Sequence, residues 1–233
     1  MLAITDSGSI VRFPRPAKAA QMMSGTVADL PAGPGPSTLK SARDSEAIVA
    51  DGKDGWWVAF EVHHWLWFYR QDFGVGFWAV NLEDQDFPTN GGVEALARLP
   101  DGRLAAFPED GASIVLVAID TRRIERRRIG GSGGQVSDAT LLPDGRLVVL
   151  RRLFGLDGVS ARIDEVRWTG TQWTAAPIAT LSTRSLANFE GATAALLPDG
   201  RTRLWLVSDD DFRASGRTLL VALDLPPRGG KPV

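Results

Sequence analysis

Four acidic residues, each followed by a small one, recur along the chain: Glu46-Ala47, Glu94-Ala95, Asp138-Ala139 and Glu190-Gly191, at intervals of 48, 44 and 52 residues. A second set, Asp6, Glu61, Glu109 and Asp209, follows short apolar runs, and in one place the matching position is basic, Arg151-Arg152. Carboxylates gathered in such number raise one another's pKa values or demand a cation. The chain has no cysteine and only two histidines, His63 and His64, so the donors on offer are oxygens. Such a set favours calcium or magnesium over zinc, and calcium, with six to eight ligands in flexible geometry, suits a wide ring better. The expected metal ligands are Glu46, Glu61, Glu94, Asp138, Glu190 and Asp209. An alternative role stands beside this one: an acid at a strand end can accept backbone N–H groups from the neighbouring unit. Arg151 and Arg152 offer a planar fork for a phosphate or carboxylate, or a balancing ion pair. His64 is the candidate general acid or base, with a hydrogen-bonded spacer between strands as its alternative.

The elements that must position these groups are strands. Pro-Asp-Gly-Arg occurs at Pro100 to Arg103, Pro143 to Arg146 and Pro198 to Arg201, with a degenerate copy at Asp51-Gly52-Lys53. Asp-Gly between apolar runs is a hairpin signal, because glycine reaches positive φ without steric cost. The flanking runs, such as Ala194 to Leu197 and Leu204 to Val207, are continuous rather than alternating, which predicts strands buried on both faces. A period of 40–50 residues made of strands and turns is that of β-propeller blades. The expected fold is therefore all-β, a propeller with about five blade-like units over residues 1–225, followed by a flexible tail, 226–233.

In a blade the first strand starts, and the second ends, at the same mouth of the channel. The eight carboxylates are thus expected to face one opening, with Arg151 and Arg152 interrupting the acidic series. Leu2 to Gly8 reads as a second strand, because Thr5-Asp6 matches Ser208-Asp209. Its own acidic position would fall before Met1. The first unit is expected to be incomplete, lacking its inner strand, as in a shortened form of a longer protein whose upstream segment carried an export signal.

Asn188-Phe189-Glu190-Gly191, with Ser208-Asp209-Asp210-Asp211-Phe212 and Arg217 to Leu220, resembles the closing blade of the "esterase-like activity of phytase" family. Asp44 to Ala47, Phe60-Glu61 with His64, Glu94 to Arg103 and Asp138 to Arg152 resemble its other blades in the same order. Two departures are Asp211 in place of an asparagine and the missing opening strand. The resemblance implies a phytase-like propeller that hydrolyses a phosphoester or related ester with calcium. It also implies a periplasmic or secreted location, although no signal peptide opens the chain and a cytoplasmic one stays open. The alternatives are a non-catalytic propeller that binds a ligand or protein at the same mouth, and a calcium-dependent lactonase-type enzyme.

Composition narrows the partners. The 233 residues carry a net charge of -2, without the basic excess of a nucleic-acid binder. The run Arg122 to Arg128 contains Ile124 and Glu125 and reads as a solvated outer strand. The longest uncharged apolar stretch, Gly111 to Ile119, is far short of the roughly 20 residues of a membrane-spanning helix. The expected partner is a small anionic or ester substrate, with no nucleic acid and no membrane, bound by a monomer.

Overall fold

A computed structural model describes residues 1–16, 22–31, 33–36, 38–52, 54–74, 78–88, 91–131, 133–155, 158–181, 188–209 and 218–225. The expected tail, 226–233, and Asp210 and Asp211 lie outside the described residues. The chain divides into two compact units, Met1–Val93 and Glu94–Val233. Eighteen strands and two single-turn 3-10 helices, Lys40–Ala42 and Glu83–Gln85, make up the described secondary structure. No described helix is long and apolar enough to cross a membrane.

The first unit holds two antiparallel meanders. One has three strands, β1 (Leu2–Ile4), β2 (Ser9–Arg12) and β3 (Thr26–Asp29). The other has four, β4 (Ser45–Asp51), β5 (Gly55–Phe60), β6 (Trp65–Arg70) and β7 (Trp78–Asn81). β1 forms an edge of its three-stranded sheet, and the Ser45 hydroxyl donates to the Thr5 carbonyl at 2.7 Å. Ile10, Leu30, Val58, Phe60, Tyr69 and Phe73 form the core, flanked by Trp56 and Trp67. Trp56 stacks on Phe73 with centroids 5.9 Å apart, so these tryptophans pack the blade.

The second unit begins as β8 (Val93–Arg98) leaves the first. β9 (Leu104–Pro108), β10 (Ser113–Ala118) and β11 (Arg123–Gly130) complete its first meander. The next is β12 (Gln135–Leu141), β13 (Leu147–Gly155), β14 (Gly158–Trp168) and β15 (Trp173–Leu181). A parallel seam from β11 to β15 joins these two meanders into one eight-stranded sheet. The last sheet is β16 (Asn188–Leu196), β17 (Thr202–Asp209) and β18 (Leu220–Leu225). β9 and most of β10 are buried along their length, as their continuous apolar runs predict, and β11 is the exposed outer strand.

The three Pro-Asp-Gly-Arg copies adopt one geometry. Each closes a three-residue loop, with Leu99, Leu142 and Leu197 donating to the carbonyls of Arg103, Arg146 and Arg201 at 2.8 Å. The glycine takes the last place in the loop, at φ near +85°, the positive φ that the Asp-Gly signal predicts. Each aspartate accepts from the backbone N–H and the Nε of its arginine, at 3.1 and 2.9 Å in the first copy. That clamp explains why the arginine belongs to the repeat.

Candidate functional site

Asp44, Glu46 and Glu61 form a carboxylate cluster in the first unit. One oxygen from each lies within 4.8 Å of the others, and all three side chains are half-buried. The backbone makes this happen at the open end of the β4–β5 hairpin. Glu61 donates its N–H to the Asp44 carbonyl at 2.9 Å, which draws the residues flanking the two strands together. Glu46 is the extra residue of a β-bulge: Ser45 pairs with Phe60 and Ala47 with Ala59, and Glu46 falls between these two pairs. Bulges re-aim side chains and are common beside functional sites. Lys40 pairs with Asp44 at 3.3 Å, and this hydrogen bond raises the Lys40 pKa, with Asp6 and Glu46 adding to the effect. A set of oxygen donors this close fits a hard divalent cation. Among the described residues, these are the carboxylates close enough to share an ion. Sequence reasoning named Glu46 and Glu61 but left out Asp44 as a ligand. The signal was its spacing of two from Glu46.

His64 closes the turn after Glu61. Its φ is +49°, its N–H donates to the Glu61 carbonyl at 2.9 Å, and its own carbonyl accepts from Leu82 at 2.8 Å. The side chain is only 9% exposed and tilts against Phe87 at 5.4 Å. A Cβ added at Gly92 would meet its Nδ1 at 3.0 Å. Burial lowers its pKa, with Glu83 opposing, so the ring is neutral at pH 7. The ring is packed among its neighbours, and among the described residues its buried Nδ1 has no hydrogen-bond partner, so the hydrogen-bonded spacer expected of it is not formed through this atom.

The remaining candidates lie in the second unit. Arg151 and Arg152 are neighbours in β13, and adjacent strand residues point to opposite faces. Arg151 is fully buried: its Nε lies 2.9 Å from Asp164, while Nη1 and Nη2 donate to the carbonyls of Gly134 and Gly111 at 3.0 and 3.2 Å. Asp164 also accepts from Arg162 Nε at 2.6 Å. Burial lowers the Arg151 pKa, and Asp164 opposes it. Arg151 is thus a structural ion pair, inaccessible to an anion. Arg152 is 21% exposed and donates to Glu190 at 2.6 Å and to the Asn188 side chain at 3.1 Å, with Glu109 at 3.9 Å. Its side chain is partly exposed, unlike that of Arg151.

Glu190, like Glu46, is the extra residue of a bulge, between the pairs Phe189–Ser208 and Gly191–Val207. In β12 the bulged residue is Ser137, and Asp138 pairs with Leu150 one step later. Asp138 therefore takes the register place of Ala47 and Gly191, not that of the other acids. Its two oxygens accept the N–H groups of Ala139 at 2.7 Å and Ala192 at 2.6 Å, tying β12 to β16. Burial pushes its carboxyl up to about 8, and nearby Glu190 adds to this, while the two N–H groups oppose it. This is the N–H-accepting role of a strand-end acid. Glu94 lies half-buried in β8, and Asp209 is exposed at the end of β17.

The sequence model of the phytase-like family described as "esterase-like activity of phytase" matches residues 1–212. The chain belongs to this family. No curated protein matches it. Among solved structures, virginiamycin B lyase from Staphylococcus aureus is 14% identical with a TM-score of 0.51, over 97% of this chain and 69% of that one. A streptogramin B lyase is 13% identical with a TM-score of 0.52, over 95% and 63%. At such identity the likeness concerns fold alone, and it makes this family member an all-β propeller, as the repeat predicted.

Proposed function

We propose that the protein is a phytase-like hydrolase that cleaves a small phosphoester or related ester with calcium bound at Asp44, Glu46 and Glu61. The carboxylate cluster is the observation that carries this reading, and family membership supports it. Calcium there would polarise the substrate's oxygens, screen its charge and lower the pKa of a water nucleophile. The protein's own part is positional. The bulge at Glu46 turns its carboxylate toward Asp44 and Glu61, and the Glu61–Asp44 backbone bond holds the hairpin end shut. Lys40 pairs with Asp44 from an exposed position and is the group a bound cation would displace.

The test is turnover of an aryl phosphate and an aryl ester with calcium or with EGTA, alongside calcium-dependent thermal stabilisation. A ligand that binds only the native state raises Tm, by about 2.7 kcal/mol of stability at a hundredfold excess over Kd. The double variant Glu46→Gln with Glu61→Gln is expected to lose both the shift and calcium-dependent turnover. Glu94→Gln with Glu190→Gln is expected to keep the shift. Survival of the shift in the first variant would overturn the metal site. A shift without turnover on any ester would leave a calcium-binding propeller that recognises a ligand or protein.

A further inference from the structure

Three bulged hairpins share one register, so their residues correspond place by place. Ser45 pairs with Phe60, Val136 with Arg151 and Phe189 with Ser208, and the next residue of each first strand is the bulge: Glu46, Ser137 and Glu190. One step outward, Asp44 meets Glu61 through a backbone hydrogen bond of 2.9 Å, Gln135 pairs with Arg152, and Asn188 pairs with Asp209. Arg152 therefore holds, in its hairpin, the place that Glu61 and Asp209 hold in theirs.

From that place Arg152 reaches out of its own sheet to the next one in the second unit. Its Nη1 donates to Glu190 at 2.6 Å and to the Asn188 side chain at 3.1 Å. Asn188 and Glu190 are the counterparts of Asp44 and Glu46. The oxygens of these two positions thus make a seat, and in the second unit the preceding sheet fills it with a cation of its own.

In the first unit the preceding sheet is β1–β3, and the Ser45 hydroxyl ties β4 to it through the Thr5 carbonyl, at 2.7 Å. Thr5-Asp6 matches Ser208-Asp209, which hold the places of Arg151 and Arg152. Asp6 is then the counterpart of Arg152: here the preceding sheet brings an acid to the corner where the other brings a guanidinium. Its charge is felt there, since Asp44 first, and then Asp6 and Glu46, raise the Lys40 pKa. Lys40 lies 3.3 Å from Asp44 but is 69% exposed, and such surface pairs yield to solvent and salt. Arg152 is 21% exposed and held by two acceptors.

We infer that this seat takes the protein's own guanidinium in the second unit and calcium in the first, where Asp6 is a fourth carboxylate ligand beside Asp44, Glu46 and Glu61. The assignment rests on the calcium reading above and extends it by one ligand. Each carboxylate gives one or two oxygens, so a fourth brings the set closer to the six to eight that calcium takes. One register position, Asp6 against Arg152, decides whether the seat carries an internal cation or recruits one from solution.

The experiment is calorimetric titration of calcium into the full chain, freed of metal with EGTA and desalted, in about 0.1 M and about 0.5 M KCl. Wild type is expected to bind one calcium. Asp6→Ala should weaken it about tenfold at both salt concentrations, because the loss of a ligand is not screened, whereas a distant charge effect fades at the higher one. Asp6→Arg, which copies the second unit's seat, should abolish binding. Arg152→Asp, which copies the first unit's, should add a second calcium. Asp6 is exposed and Arg152 partly so, and Tm in EGTA checks that the variants fold. No calcium bound by wild type would overturn the calcium reading and this inference together. Wild-type binding that Asp6→Arg leaves intact, or that Asp6→Ala weakens only at low salt, would overturn the inference and leave the calcium reading standing. A folded Arg152→Asp protein that still binds a single calcium would overturn the equivalence of the two seats.

Discussion

Replacing Asp138 by Asn should flatten the dependence of stability on pH between about 4 and 8. The wild-type carboxyl titrates near 8 in the folded protein against an ordinary 3.8. Below pH 4 it is protonated in both states and contributes no pH dependence. From 4 to 8 the unfolded chain ionises at this position while the folded one stays protonated, so stability falls as pH rises. Above 8 the loss is complete. At 1.36 kcal/mol per pH unit the ceiling is about 6 kcal/mol, and water penetration and relaxation around the group bring a working figure of ~2–3 kcal/mol.

Besides burial, the N–H groups of Ala192 and Ala139 hold the Asp138 pKa down and Glu190 raises it. The variant keeps one acceptor for Ala139 or Ala192 but loses the other, at a cost of about 1–2 kcal/mol near pH 5. Near pH 8.5 that cost is offset because no charge is buried. Wild type and variant should therefore differ most at pH 5 and converge by pH 8.5. Other titrations act elsewhere or cancel. Asp101, Asp199 and Asp224 have lowered pKa values, so their contribution is lost below about pH 4. His64, with a lowered pKa, loses stability only as pH falls through the region below its ordinary 6.5, and it does so equally in both proteins. Urea unfolding from pH 5 to 9, followed by the fluorescence of the eight tryptophans, reads the difference. Parallel curves for the two proteins would refute the reasoning.

Two further substitutions test the second unit. Gly111→Ala should cost 2 kcal/mol or more by thermal denaturation, because Gly111 has φ +58° and a Cβ there collides with the Arg151 guanidinium. Gly145→Ala, also at positive φ but facing open space, should cost only about 1 kcal/mol, and equal losses would show that the buried arginine is not tightly held. Arg151→Lys should lower Tm, since lysine lacks the planar fork that reaches Asp164 and the Gly134 and Gly111 carbonyls together, whereas Arg152→Lys, at a partly exposed position, should change Tm little. Equal losses in Tm would show that burial does not separate the two arginines.

The architecture was legible because its signals are local. Pro-Asp-Gly-Arg writes the loop, the glycine conformation and the Asp–Arg clamp into four consecutive residues, and the apolar runs on either side specify strands buried on both faces. Much of the site depends instead on strand register. An extra residue at Ser137 shifts Asp138 by one step relative to Glu46 and Glu190, and one step in a strand exchanges faces. The acid-plus-small-residue repeat is the same in sequence at all three places, so it carries no trace of that shift.

The same rule separates Arg151 from Arg152 and could have been applied to the sequence alone. Neighbours in a strand cannot share a face, so one of the pair had to point inward, and an inward arginine needs a buried acid. Asp164, which supplies it, sits across the β13–β14 hairpin, where Arg151 pairs with Arg162. Asp44 escaped for a different reason: it precedes β4, and only the Glu61–Asp44 backbone bond brings it level with Glu46. Strand periodicity therefore sorts acids into those that face the protein's own backbone and those that face other side chains. A bulge is the device that moves an acid from one class to the other, and Glu46, re-aimed by one, is the residue on which the calcium reading rests.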